Sequence, residues 1–545
     1  MQTEEKAASS TEAEAAAFAA RVAANQHALA ANLGKTYDFI VCGSGSSGSV
    51  VARRLAENPN ARVLLLEAGG DDAVPNVMDA GLWFTNLGSE RDWAFKTRPN
   101  PHLGGRSLVW SMGKVLGGGS SINVMIWSRG HKNDWDDFAA ETGDPAWNYE
   151  SVLGIYRRIE DWQGEPDETR RGTGGLVFVQ PAPDPNPAAL AMLEAARAVD
   201  IPVFADQNGA MMEGEGGCAL ANVRIRDGKR LSVFRTYVYP CMDQPNLTVL
   251  TGALVTKILF AEKRAVGVEV LHDGTSRRFL VGSEVVLSLG ALHTPKVLMQ
   301  SGIGDEAELG KFGIDIVQHL PGVGKNLQEH VLVAGCIWEY ATPLPFRNSA
   351  AEATFFWKSD PDLDTPDMQP FQIELPYVSD TLAHLDPPAG SWSITPGLVR
   401  PASRGSLHLT GAQPTDPLDI DTNILSDPAD MKALVASVQL CREIGNAPAF
   451  RPFAKREVMP GKLRGAELEK FIRMAVVPYW HQTCTAKMGR DSMSVVDGSL
   501  KVYGVENLRI ADGSVMPRVT TGNTMAPCVV IGERAATLIR QKHAV

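Results

Sequence analysis

Three glycines, Gly43, Gly45 and Gly48, stand in the spacing G-x-G-x-x-G, and an acid, Glu67, follows nineteen residues after the last of them. In that arrangement each residue has a mechanical task in holding a dinucleotide. Gly43 lets the chain turn tightly, Gly45 lets the backbone approach a pyrophosphate, and Gly48 lets a helix pack closely on a strand. Ser46 and Ser47 open that helix, where free N–H groups face an anion, and Glu67 is placed to accept a ribose hydroxyl. The flanking pattern agrees: an apolar run from Asp38 to Cys42, helical spacing from Ser46 to Glu57, and a second apolar run from Arg62 to Leu66 make a parallel βαβ unit. These residues leave NAD and FAD both open, although the ending Glu67-Ala68-Gly69 is more like that of FAD enzymes.

The rest of the chain must supply the elements that frame such a site. Prolines are dense between Gln180 and Gln207, and a second Pro/Asp-rich stretch runs from Asp360 to Pro388, so long loops or junctions are expected at both. Leu247 to Leu271 and Arg278 to Leu289 carry β-branched alternation, and the C-terminus reads as a strand (Asn507 to Ile510), a turn and a helix from about Thr524 to Gln541. With 545 residues, 44% of them hydrophobic, the chain can bury more than one core. Apolar runs are strand-sized, so no membrane-spanning helix is expected. A net charge of −11 disfavours a nucleic-acid partner. The seven cysteines are scattered and never spaced C-x-x-C, which argues against a disulfide framework or a metal site and suits a cytoplasmic protein. Residues 1–35, rich in Ala and Glu, do not read as a secretory signal, and a short exposed helix or a frayed tail is expected there.

A resemblance then sharpens the chemistry. The segment Gly113-Lys114-Val115-Leu116-Gly117-Gly118-Gly119-Ser120-Ser121-Ile122-Asn123 resembles one signature of the glucose-methanol-choline (GMC) oxidoreductases. Gly290 to Gly304 resembles the family's other signature, and Leu320 to Gln328, Ser403-Arg404-Gly405, His481 to Gly489 and Asn507 to Arg534 continue in the same style. The resemblance implies an α/β fold, a Rossmann-like FAD-binding domain with an inserted antiparallel-sheet substrate domain. It places the FAD-binding domain at residues 36–179, 245–330 and 478–545, and the substrate domain at 180–244 and 331–477. It implies FAD contacts at Gly117, Gly118, Ser120 and Asn123, at Val255 beside the adenine, and at Asp512, Gly513, Thr524 and Met525. Some family members attach FAD through a histidine at the position held here by Ile122, so noncovalent FAD is expected.

The same resemblance makes His481 the catalytic base and Asn523 its partner, 42 residues on. Alcohol oxidation removes a hydroxyl proton and a hydride from one carbon, so it needs a base and a donor that steadies the forming alkoxide. Read alone, a histidine beside aromatics is commonly a packed core residue, and an Asn after Gly522 at a helix start is commonly an N-cap. Trp480 reads as a wall of the substrate pocket or as core. Gly228-Lys229-Arg230 resembles a family segment near FAD and reads equally as a solvated turn, while Met525 stands where relatives commonly have asparagine. The implied activity is oxidation of a small alcohol, with oxygen or another acceptor taking the electrons. A hydroxynitrile lyase on the same fold, an NAD-dependent dehydrogenase and a non-catalytic flavoprotein are the competing readings. Which alcohol, which acceptor and which oligomeric state are not readable from the motifs.

Overall fold

The computed structural model describes residues 2–545, with side chains from residue 12 onward. The βαβ unit begins the principal sheet. Thr36–Cys42 lies parallel to Val63–Leu66, which lies parallel to Leu247–Leu250, and on its other side Thr36–Cys42 pairs in parallel with Thr275–Leu287. Phe39 to Cys42 and Val63 to Leu66 are buried throughout, as expected of parallel strands covered on both faces rather than alternating ones. The long strand Thr275–Leu287 changes partner along its length. Its first half closes an antiparallel meander with Arg264–His272 and Ala253–Ala261, while Val285 to Leu287 pair with the late strand Leu508–Ile510. The chain's end is thereby returned to the principal sheet, one strand away from Thr36–Cys42.

The helices Ser46–Ala56 and Met525–His543 pack together over this sheet. Their approach is close because Gly532 lies at the crossing, where a Cβ would come within 2.8 Å of the Ser47 carbonyl and of Val50 Cβ. Buried Glu533 fixes the pair by accepting from Arg54 at 2.9 Å and from the Tyr237 hydroxyl at 3.0 Å.

A second, six-stranded antiparallel sheet runs in the order Ala454–Met459, Ile337–Tyr340, Ser391–Thr395, Phe371–Ile373, Ala353–Phe356, Gly217–Leu220. A three-stranded sheet of Gly397–Leu398, Val331–Val333 and Val476–Pro478 brings Leu332 and, just past its last strand, Tyr479 to the cleft. The Pro/Asp-rich stretch from Asp360 to Pro388 is thus not loop throughout, since it contributes Phe371–Ile373 to the centre of a sheet; its prolines bracket the strand and leave its ladder donors intact.

The N-terminal extension departs from expectation. It forms one helix, Gln2–Ala31, longer than expected and largely exposed over the residues whose side chains are described, yet docked along one edge rather than frayed. Val22 is buried, and Phe18 packs edge-on to Tyr239 at 5.5 Å. Asn25 and Gln26 donate to the carbonyls of Met242, Gln244 and Leu247, while Gln26 accepts from the Val249 amide at 2.9 Å. These side chains cap the edge strand Leu247–Leu250, whose free backbone groups would otherwise face solvent. Ala-rich spacing hides this role, because the contacts come from two amides rather than an apolar stripe. All seven cysteines are free thiols, and no described helix is long and apolar enough to cross a membrane.

Candidate active site

A cleft of about 490 Å³ runs from the glycine turn to His481 and is lined by segments from both sheet systems. At its dinucleotide end, Gly43 adopts φ +98°, and a Cβ there would sit 2.3 Å from the Ser288 carbonyl oxygen. A Cβ on Gly48 would lie 1.9 Å from the Gly43 carbonyl oxygen, so that glycine holds helix against turn. Gly45 has nothing within 4 Å of its missing Cβ, and its backbone faces the cleft. No side chain caps the helix that opens at Ser46, so its N-terminal N–H groups remain available to an anion. The Gly117–Asn123 turn comes against this cradle: Gly118 would touch Gly45 Cα at 2.9 Å with any side chain, and the Gly117 amide donates to Ser44 Oγ at 3.1 Å.

Glu67 lies in the cleft wall with both oxygens engaged. Oε2 accepts from the Ser44 amide (3.1 Å) and hydroxyl (2.7 Å), and Oε1 from the Gly69 amide (2.8 Å). Burial raises its pKa while these donors oppose the rise. Asp512 is held likewise, by the Gly290 amide (2.9 Å), the Thr294 hydroxyl (2.6 Å), and the Ser514 amide and hydroxyl. It ties the segment after Leu508–Ile510 to the start of the Gly290–Gln300 helix. A donor-rich cradle open only where a glycine leaves room fits a dinucleotide such as FAD, and the shape comes from backbone rather than from any cationic side chain.

At the other end, His481 and Asn523 face one another across the cleft, with Asn523 Nδ2 3.3 Å from His481 Nε2. Both are set by unusual backbone. Trp480 adopts φ +61°, uncommon for a non-glycine residue, which turns its ring into the cleft wall. Gly522 adopts φ +104°, where any side chain would strike Ser128 Oγ at 2.4 Å. Asn523 is no N-cap: Thr524 holds that position without a side-chain bond, and the Asn523 amide is spent on His481 and on Gln369, whose Nε2 donates to Asn523 Oδ1 at 3.0 Å.

His481 is held from behind as well. Its Nδ1 lies 2.9 Å from Nδ1 of His330, and its backbone amide donates to Glu329 Oε1 at 2.7 Å. An amide NH2 can only donate, so His481 Nε2 accepts from Asn523, its Nδ1 carries the proton, and that proton is given to His330 Nδ1. The other His330 nitrogen is buried without a partner at hydrogen-bond geometry, and the carbonyls of Val399 and Thr520 face the ring. Desolvation pushes the His481 imidazole down to about 3 and His330 well below the usual range, so both rings are neutral at physiological pH. Burial raises the Glu329 carboxyl above the usual carboxylate range, opposed by the backbone amides of His481, Tyr479 and His330.

Models of the GMC oxidoreductases match this chain over residues 37–332 and 401–532. The chain belongs to that family. An alcohol dehydrogenase (acceptor) of Pseudomonas putida is 36% identical over 537 residues, covering 93% of this chain and 96% of the relative. A mitochondrial choline dehydrogenase of Mus musculus is 36% identical over 548 residues, covering 94% and 90%. Among solved structures, pyridoxine 4-oxidase from Mesorbium loti superposes with a TM-score of 0.88 at 30% identity, covering 93% of this chain and 99% of that one. FAD is the cofactor of this family's flavoenzymes, and the α/β architecture with its antiparallel second layer is the GMC fold.

Within this GMC cleft the residues singled out by spacing or by the family resemblance come together, with two exceptions. Gly43, Gly45, Ser46, Ser47, Glu67, Gly118, Ser120, Asn123, Val255, Trp480, His481, Asp512, Gly513, Asn523, Thr524 and Met525 line it, whereas Gly48 and Gly117 stand behind the wall. Met525 Sδ accepts from Asn123 Nδ2 at 3.2 Å, taking up the amide that an asparagine there would otherwise meet. Arg230 is not in a solvated turn. It is fully buried and donates to the Ser120 carbonyl and to Asn123 Oδ1 at 2.8 Å, bracing the glycine-rich turn from behind. Sequence reading missed His330, Glu329 and Gln369. For His330 and Glu329 a signal existed, since they directly follow the family-like stretch ending at Gln328; Gln369 lies in the Pro/Asp-rich region and carries none.

Proposed function

We propose that this enzyme oxidises an alcohol to a carbonyl compound, with FAD bound noncovalently and His481 as the base. The observation that carries the reading is the convergence of His481 Nε2 and Asn523 Nδ2, 3.3 Å apart, on one point of a cleft whose other end is a dinucleotide cradle. An alcohol oxygen at that point displaces the long Asn523–His481 contact: its hydroxyl proton goes to the His481 Nε2 lone pair that Asn523 occupies in the resting site, and the oxygen accepts from Asn523 Nδ2 as negative charge develops. His330 holds His481 in the tautomer that keeps Nε2 unprotonated, as an orienting group does for any catalytic histidine. The imidazole's low pKa in the resting site means that it awaits the proton as the neutral base across physiological pH; charge on the forming alkoxide is what then favours the imidazolium. Bound FAD supplies the hydride acceptor, and oxygen or another acceptor afterwards removes the electrons.

Residues 36–179, 245–330 and 478–545 serve the cofactor in this reading, and 180–244 with 331–477 the substrate. Relatives named alcohol dehydrogenase and choline dehydrogenase support an alcohol as substrate. Ile122 supports noncovalent attachment, because its buried side chain offers no nucleophile where some family members carry their linking histidine. The test is anaerobic mixing of the yellow holoenzyme with a panel of alcohols: bleaching of the flavin is expected, and a flavin that stays oxidised while a cyanohydrin is cleaved would instead make the protein a lyase. Admission of oxygen with a peroxide assay then separates oxidase from dehydrogenase. Acid precipitation should leave the flavin in the supernatant, and yellow pellet would refute noncovalent binding.

A further inference from the structure

The substrate end of the cleft carries no formal charge. On the His481 side it is walled by Leu332, Phe371, Ile373, Leu375, Tyr479 and Trp480. Among the described residues no lysine or arginine lines the cleft anywhere, and its only acids, Glu67 and Asp512, sit at the dinucleotide end with their oxygens already engaged. Neither of the two acids nearest the substrate wall in sequence lines the cleft. Glu329 lies behind His481, one oxygen accepting from its backbone amide. Glu374, between Ile373 and Leu375, points away on the opposite face of its chain, where its Oε2 accepts from the Arg347 amide at 2.6 Å.

Aromatic rings can replace a carboxylate in holding a cation, but only through their faces. On the His481 side two of those rings, Phe371 and Tyr479, are engaged in stacking. Tyr479 is stacked on His481 at 4.5 Å with an interplanar angle of 27°, and on its other side Phe371 is stacked at 5.4 Å and 26°. The Tyr479 ring is therefore engaged by two stacked neighbours rather than free to take a cation.

Building on the alcohol-oxidation reading, we infer that this site selects uncharged alcohols with an apolar body and discriminates against quaternary ammonium alcohols. The selectivity separates this chain from relatives that are named choline dehydrogenases despite their overall similarity. A cation entering the wall would lose its water and find no carboxylate to replace it, whereas a neutral group of the same shape loses only water it holds weakly.

Choline and 3,3-dimethylbutan-1-ol form the deciding pair, because they differ only in nitrogen against carbon at the branched centre. Both are titrated into the holoenzyme anaerobically, with binding read from the perturbed flavin spectrum and reduction from its bleaching. The neutral alcohol should bind at least about tenfold more tightly, and equal or tighter binding of choline would overturn the inference. Because binding is read separately from bleaching, a neutral alcohol that binds without bleaching the flavin counts against alcohol oxidation and leaves the charge preference standing. Ile373→Glu, which sets a carboxylate on the half-buried part of the wall, should move the ratio toward choline by about tenfold or more, while the uncharged Ile373→Gln should not. A preference indifferent to that carboxylate would likewise overturn it.

Discussion

Removing the imidazole behind the base should slow the chemistry without emptying the cofactor site. In His330→Ala the Nδ1–H of His481 loses the acceptor it has at 2.9 Å, inside a pocket where water is scarce. Leaving a buried donor unpaired costs about 1–3 kcal/mol. Part of that is escaped by rotation of the His481 ring or by a switch of tautomer, and either takes the Nε2 lone pair away from the alcohol. At about 1.4 kcal/mol per factor of ten, the loss corresponds to roughly 5- to 150-fold in the rate of flavin reduction. The assay is anaerobic stopped-flow reduction at saturating alcohol, with FAD content and melting temperature as controls. His330 touches the base rather than the cradle, so FAD should remain stoichiometric. His330→Asn, which returns an acceptor near the old Nδ1 position, should recover most of the rate. A change of less than about twofold in His330→Ala, with FAD in place, would refute the argument that this contact orients the base.

The other expectations follow from contacts of the same kind. His481→Ala should lower flavin reduction by roughly 10²- to 10⁴-fold while FAD stays bound, and Asn523→Ala by roughly 10²-fold, both read by the same rapid-mixing experiment; retained turnover in either would remove that residue from the mechanism. Gly48→Ala forces a Cβ to within 1.9 Å of the Gly43 carbonyl, so purified protein should carry little or no FAD, measured as the flavin-to-protein absorbance ratio, and full loading would contradict the glycine's role. Glu374 shares a buried site with Glu352, and burial together with that like charge raises its pKa well above the carboxylate range. The folded protein therefore keeps a proton that the unfolded chain releases above its ordinary pKa near 4.5, so stability present at pH 4.5 is lost as the pH rises from there toward the raised folded value. Glu374→Gln removes the titration, and relative to the unsubstituted protein it should gain about 2 kcal/mol between pH 5 and pH 8 in denaturant titrations; parallel pH profiles would refute the assignment.

The cofactor end of this molecule was legible in the sequence because its chemistry is done by backbone. A turn that admits only glycine at Gly43 and Gly48 leaves its mark in residue identity, and the strand and helix on either side of it leave theirs in local periodicity. His481 and Asn523 were legible only through their surroundings, since nothing in a lone histidine or asparagine separates a base from a packed residue. The docked N-terminal helix was not legible, because its attachment runs through Asn25 and Gln26 to carbonyls more than two hundred residues away.

Local order thus determined the parallel unit and the glycine turn that a dinucleotide would meet, while His481 and Asn523 were singled out only by the family-like segments around them. The tertiary structure alone decided what stands around that pair. His330 is 151 residues from His481, Gln369 is 154 from Asn523, and the stacked rings that line the pocket come from Phe371, on the six-stranded sheet, and Tyr479, just past a strand of the three-stranded one. Orientation of the base and the charge of the pocket are properties of groups brought together across long chain separations, where the spacing of residues along the sequence carries no record of their distance in space.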